Sequence, residues 1–239
     1  MRSANREARP AEATTDTIAV LFSAGLDSAV LLAHAAHENA GARVQPIYMS
    51  AGLAWEAEER AMAARLLNSP PYTSPAILPL VALSVDMRDV YPASHWAVRG
   101  EPPAYDTPDD DVYIDGRNIV LLSKAAVYMA RARITRVMIG PLAGNPFPDA
   151  SREFFDAMER TLSIGLASPI RIEAPFAAMH KDAVIARGRA LDVPFELTLS
   201  CMQPRDGLHC GRCSKCRERI EAFRDAGIAD PTTYAASWS

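Results

Sequence analysis

Thr17-Ile18-Ala19-Val20-Leu21-Phe22-Ser23-Ala24-Gly25-Leu26-Asp27-Ser28, continuing into Ala29-Val30-Leu31-Leu32-Ala33-His34-Ala35-Ala36, is the stretch whose reading decides the fold. An apolar run of strand length gives way to small and polar residues, Ser23 to Ser28, and then to an apolar run of helical length. Gly25 stands where the backbone must bend or let a ligand approach closely. Ser23 and Ser28 carry hydroxyls able to bind phosphate oxygens, and Asp27 suits a helix N-cap or a metal ion. The helix behind the turn begins with unsatisfied N–H groups and the positive end of its dipole, which together favour an anion. No Gly-Lys-Ser/Thr follows, so this is not the Walker pattern. The alternative is an ordinary strand-to-helix turn.

Outward from this unit, strands and helices alternate. Arg43 to Ser50 predicts a second strand, Trp55 to Leu67 a helix with apolar positions near 3.6-residue spacing, and Pro79 to Val85 a third strand. Ile134 to Gly140 predicts a fourth strand and Pro169 to Ile172 a short fifth. Helices are expected from Ile119 to Ala132, from a cap at Ser151 or Asp149 through Leu162, and from His180 to Leu191. The first of these is almost wholly apolar, which predicts a centrally buried helix. The alternation implies parallel βαβ units, hence an α/β, doubly wound, mostly parallel sheet covered on both faces. Such sheets bind ligands beyond the carboxyl ends of their strands, where the Ser23–Ser28 turn lies. Residues 88–115 break the rhythm. Eight of the 18 prolines fall between Pro70 and Pro108, and Asp109-Asp110-Asp111 follows, so this reads as a long irregular loop with a solvated acidic run.

All four cysteines lie in one short segment, Cys201-x8-Cys210-x2-Cys213-x2-Cys216. Thiolates two residues apart reach one metal from a tight turn, and four sulfurs complete the tetrahedral shell of structural Zn²⁺. An iron–sulfur cluster or free thiols are the rivals. A closed shell leaves no open position, so the metal is expected to do no chemistry. Lys215, Arg212 and Arg217 would offset the thiolate charge, His209 is expected at the surface or on the substrate side, and Ser214 to Ala226 predicts a helix closed by Gly227. The chain thus divides into a flexible tail over 1–16, an α/β domain carrying the Ser23–Ser28 turn over 17–195 and a helical zinc-binding region over 196–239. Net charge is −4, which does not favour nucleic acid as a partner. No run reaches membrane-span length, and Met1 to Asp16 has no apolar stretch of the secretory kind, so the cytoplasm is the expected location.

The turn resembles the Ser-Gly-Gly-x-Asp-Ser loop of the PP-loop ATP pyrophosphatases, with Ala24 where that family usually has Gly, a change that bears on a positive φ there. Combined with the cysteine spacing, residues Thr17 to Ala226 resemble the 7-cyano-7-deazaguanine synthase (QueC/ExsB) family. Asp115-Gly116-Arg117-Asn118 is similar to its Gly-Arg-Asn segment, and Phe147-Pro148-Asp149 with Glu153-Phe154 to its Tyr-Pro-Asp-Cys-Arg-Pro-Glu-Phe segment. Pro175-Phe176 with Lys181 is similar to its Pro-Phe…Lys segment, and Gly207-Leu208-His209-Cys210-Gly211-Arg212-Cys213 to its zinc signature. Two departures fall together: Ala150-Ser151-Arg152 stands in place of Cys-Arg-Pro, and Gly144-Asn145-Pro146 lacks the usual Asp-x-Ser-Gly. ATP use therefore carries over more directly than substrate identity.

The resemblance implies a HUP-like fold and ATP-dependent conversion of 7-carboxy-7-deazaguanine and ammonia to the nitrile, through adenylated intermediates. It also implies structural Zn²⁺, Mg²⁺ and a homodimer. Phe22, Ser23, Ala24, Gly25, Leu26, Asp27 and Ser28 would then hold the pyrophosphate of ATP. Asp27, Ser28, Arg117 and Lys181 are the candidate catalytic residues, while Arg117, Phe147 and Asp149 would contact the deazapurine. Tyr48 and Met49 are candidates to border adenine. The structural alternatives are a salt bridge from Arg117 to Asp115 or another acid, a solvated Lys181, Asp149 as a helix cap, and Phe147, Tyr48 and Met49 as packing. Two other functions remain: a related PP-loop ligase acting on a different carboxylate or a macromolecule, and a zinc module binding nucleic acid through Arg205, Arg212, Lys215, Arg217, Arg219 and Arg224.

Overall fold

The computed structural model describes residues 16–235, so the expected tail lies outside the described residues apart from Asp16. Five strands form one parallel sheet: β1 (Thr17–Leu21), β2 (Arg43–Ser50), β3 (Val81–Ser84), β4 (Arg136–Met138) and β5 (Arg171–Glu173). Their order is β3-β2-β1-β4-β5, every neighbouring pair parallel. The order reverses at β1, which is flanked by β2 and β4, and the ends of those strands open a crevice. Ile18, Ala19 and Val20 are wholly buried, as expected of a central parallel strand covered on both faces.

Successive side chains of β1 enter two separate cores. Ile18 and Val20 pack with α1 (Leu26–Glu38), α2 (Glu56–Leu67), α6 (Lys181–Ala190) and α7 (Ser214–Asp225). Ala19 faces the other side, against α4 (Arg117–Ala132) and α5 (Arg152–Leu166). The first core runs without a break from Val30 and Val184 into Cys201, Cys210, Cys213, Cys216 and Phe223, so the cysteine segment packs on the sheet layer directly.

Most expected elements are present within a few residues of their predicted limits. Residues 88–115 hold the one-turn helix α3 (Trp96–Arg99), one 3-10 turn at Asp109–Val112 and a single antiparallel bridge from Ala104 to Cys213. The helix predicted to be buried all round is not. α4 buries Leu122, Ala125, Ala126 and Met129, while Ile119 and Val127 stand 46% and 49% exposed. Ser123, Lys124 and Arg131 break the outer face, and one sheet face covers only one side of the helix. No helix among the described residues is long and apolar enough to cross a membrane.

Candidate active site

A cavity of about 290 Å³ opens at the carboxyl ends of β1, β2 and β4. One wall is the Ser23–Ser28 turn, whose polar groups are organised internally. The Ser23 amide donates to Ser28 Oγ at 3.2 Å, the two hydroxyls meet at 3.3 Å, and Ser28 Oγ donates to the Gly25 carbonyl at 2.9 Å. Gly25 is the N-cap of α1, and no side chain caps that helix, so its first-turn N–H groups are available to a ligand. Asp27 is inside the first turn rather than at the cap. The bend expected at Gly25 falls one residue earlier. Gly25 has φ −63°, whereas Ala24 adopts φ +60°, the left-handed region that costs a residue with a Cβ about 1–2 kcal/mol. The Ala24 carbonyl accepts from the Leu199 amide at 2.8 Å, which ties the strained peptide to the segment leading into Cys201. Phe22, Ser23, Gly25, Asp27 and Ser28 line the cavity, while Ala24 and Leu26 turn their side chains into the first core.

Lys181 does not line the cavity. Its ammonium is buried behind the turn, 3.1 Å from Asp27 Oδ2 and in an ion pair with Glu218 of α7, which also pairs with Lys215 at 2.6 Å. Burial alone would depress the Lys181 ammonium, but the two carboxylates more than offset it and hold its pKa above the ordinary lysine value. This overturns the solvated alternative. Asp27 lines the cavity, and its Oδ1 is buried with no hydrogen-bond partner among the described residues, so this carboxylate fits a cation accompanying a phosphate.

The facing wall gathers the second group of predicted residues. Arg117, at the start of α4, lines the cavity, and among the described residues its guanidinium forms no ion pair, so the bridge to Asp115 is absent. Asp149 is 4% exposed, and its Oδ2 accepts from the Asn118 amide at 2.9 Å while Asn118 Nδ2 donates to the Asp149 carbonyl. It therefore caps the first turn of α4, whereas α5 is capped by Ser151, which accepts from Phe154 N at 3.1 Å. Burial raises the Asp149 carboxyl above the ordinary range. Phe147 stacks on Tyr113 with ring centroids 5.0 Å apart, and both rings line the cavity. Met49 lines it too, but Tyr48 is buried beneath and donates to Glu59 Oε2 at 3.0 Å. Glu59 and Tyr113 had no place among the predicted site residues.

The four cysteine sulfurs lie within 4.8 Å of one another, all buried. The Gln203 and Cys210 amides donate to Cys201 Sγ at 3.3 and 3.2 Å, and the Arg212 amide donates to Cys210 Sγ at 3.3 Å. Amides aimed at sulfur stabilise thiolates, so this donor set fits one metal ion. His209 is buried rather than exposed, accepting from the Ser200 amide at Nε2, 3.1 Å away. Burial, with Arg219 nearby, pulls its pKa down to about 3 and keeps the ring neutral. Arg219 is wholly buried and donates to the Phe195 carbonyl, Thr198, Ser200 and Thr232. Lys215 and Arg217 engage Glu218 and Glu221, so with Arg219 half of the predicted basic patch is engaged within the fold, while Arg205, Arg212 and Arg224 are exposed.

The chain matches the family described as Queuosine biosynthesis protein QueC over residues 17–227. It belongs to that family. A 7-cyano-7-deazaguanine synthase of Thermoplasma volcanium is 33% identical over 227 residues, covering 90% of each chain. One of Marinobacter nauticus is 32% identical over 222 residues, covering 92% of this chain and 98% of its own. Other curated relatives of the same name match more strongly over less: the chain spans 56% of the one from Methanothermobacter thermautotrophicus, at 39% identity over 125 residues and 52% of this chain. A crystal structure of a predicted subunit of tRNA methyltransferase from Methanocaldococcus jannaschii covers 90% of each chain at TM-score 0.50 and 14% identity, and supports the fold alone. In this QueC-family chain the Ser23–Ser28 loop lines the cavity and the cysteines do not, while of the residues that depart from the family pattern between Gly144 and Arg152, Asn145 lines it.

Proposed function

We propose that this chain makes 7-cyano-7-deazaguanine from 7-carboxy-7-deazaguanine, ammonia and ATP. The observation that carries the reading is one cavity joining an anion-ready helix N-terminus at the sheet's switch point to an unpaired Arg117 and a buried Asp149, in a QueC-family chain. A carboxylate is a poor electrophile because its leaving group would be oxide. Transfer to AMP supplies a good leaving group, ammonia forms the amide, and adenylation of the amide oxygen permits elimination to the nitrile. No covalent nucleophile is needed, so the protein acts by positioning and charge stabilisation.

In this scheme Ser23, Gly25, Asp27 and Ser28 receive the pyrophosphate, and the free oxygen of Asp27 holds Mg²⁺. Arg117 neutralises the substrate carboxylate or the developing phosphate charge, Asp149 accepts from the base's N–H groups, and Phe147 with Tyr113 stacks on the ring. Lys181 acts from behind the loop by fixing Asp27. The metal is Zn²⁺, held by Cys201, Cys210, Cys213 and Cys216, and its work is structural. Four thiolates on one zinc suit a reducing cytoplasm. A homodimer could cover Ile119 and Val127, two half-exposed apolar side chains on the outer side of α4.

The test is pyrophosphate release with Mg-ATP and ammonium, with and without the carboxylate, products read by mass spectrometry. Acid-dependent release giving the nitrile mass, abolished in Asp27→Ala, is the expected result. A second reading, adenylation of a different carboxylate, is favoured by the divergent Gly144–Arg152 segment beside Asn145. ATP binding without turnover of this acid would select it.

A further inference from the structure

Three carboxylates line the cavity, and two are committed: Asp27 to Lys181, and Asp149 to the first turn of α4. The third is Glu59, 8% exposed, whose Oε2 accepts from Tyr48 Oη at 3.0 Å and whose Oε1 accepts from Trp55 Nε1 at 3.1 Å. Each oxygen therefore keeps a second acceptor position. Two rigid donors fix the carboxylate, and no cation is bonded to it among the described residues. Its neighbours are Tyr48 on β2, Glu56 on its own helix and Arg117 on α4. A carboxylate held this way, at the edge of a space built for an activated acyl group, is placed to accept a proton from the incoming nucleophile.

We propose that Glu59 is the proton acceptor that turns ammonium into the attacking amine, an inference that rests on the reaction proposed above. The Glu59 carboxylate takes one proton from ammonium. The freed nitrogen lone pair forms the C–N bond at the acyl carbon, and the C–O bond to the adenylate breaks with its electron pair leaving on AMP. The surplus N–H proton passes to solvent, leaving the amide. Burial pushes the Glu59 carboxyl up to about 7, with Glu56 adding to the effect and Arg117, Tyr48 and Trp55 opposing it. The group thus exchanges protons near neutral pH, where ammonium itself stays charged.

The full chain is assayed in two half-reactions. Acid-dependent ATP–pyrophosphate exchange without ammonium reports adenylation, and ammonium-dependent turnover reports amine attack. In Glu59→Gln, exchange should stay within about twofold of wild type while ammonium turnover falls about 10²–10⁴-fold. Hydroxylamine, already neutral near pH 7, should restore turnover to within a few fold. Wild-type ammonium turnover should level off above an inflection near pH 7, whereas Glu59→Gln should keep rising with free ammonia. Tyr48→Phe, which removes a donor to the anion, should move the inflection upward. Equal losses with ammonium and hydroxylamine, or loss of exchange in Glu59→Gln, would overturn the role of Glu59 and leave the reaction standing. No acid-dependent exchange in the wild type would overturn both.

Discussion

The two walls of the cavity are built on different terms. The Ser23–Ser28 wall is short in sequence, hydrogen-bonded to itself, and braced from behind by the Leu199 amide and the Asp27–Lys181–Glu218–Lys215 chain of charges. The facing wall brings Arg117, Tyr113, Phe147, Asp149 and Glu59 from separate segments, with Arg117 unpaired and two carboxyls raised by burial. A phosphate group is the same in every ATP-using relative, so one preorganised loop serves. An acid substrate varies, and in the proposed reading its wall is the facing one, assembled from side chains that can change one at a time. The first wall should therefore fail as a unit and the second residue by residue.

The largest effect is expected from the brace. Cys216→Ser should abolish metal binding at the four-cysteine site and cost more than about 4 kcal/mol of stability, read by metal analysis and thermal unfolding. Hydrogen exchange should rise first at 198–201 and 23–28 and later in α4 and α5, since only the former are bonded to the cysteine segment. Uniform loss across both walls would break the comparison. Next, Arg117→Ala should lower acid-dependent turnover about 10²-fold with little change in melting temperature, because among the described residues the guanidinium makes no hydrogen bond or ion pair and acts on Glu59 and Asp149 only through its charge. A large stability loss would show that the facing wall is braced as well.

Smaller effects follow. Glu218→Gln should cost about 1–3 kcal/mol and weaken ATP binding, measured by calorimetry, by loosening the Lys181 ammonium behind Asp27. Asp149→Ala should cost about 1–2 kcal/mol through the lost cap on α4, with Asp149→Asn costing less. The smallest is Ala24→Gly, expected within about 1 kcal/mol of wild type. Relief of left-handed strain, about 1–2 kcal/mol, is offset by a lost buried methyl and a more flexible unfolded chain.

The braced wall was legible because its chemistry is local. Six consecutive residues between a strand and a helix carry the loop, and three short spacings carry the cysteine cluster. What the chain order conceals is depth. Lys181, Arg219 and His209 read as surface side chains by residue type, yet each is buried among partners more than eight residues away in sequence. Ile119 and Val127 make the opposite case, apolar residues on the outer face of a helix with one neighbour too few. Glu59 did leave a signal. It stands at three-, four- and seven-residue spacing from Met62, Ala63 and Leu66, so a carboxylate occupies the buried stripe of α2. Tyr113 left none, since its place beside Phe147 depends on how residues 88–115 fold back over the sheet.

Arg219 reaches forward as well as back. Its Nε donates to Thr232 Oγ1 at 2.6 Å, and the Ala235 amide donates to the His209 carbonyl at 2.7 Å, so residues 232–235 close over the segment that carries Leu199 and Cys201. The last described residues are thus a latch on the Ser23–Ser28 turn, three short links away from Ala24. A purification handle fused hard against Tyr234, or a trim back to Gly227, would be felt at the opposite end of the sequence. Anyone preparing this protein should leave that latch alone and put the handle at the other terminus.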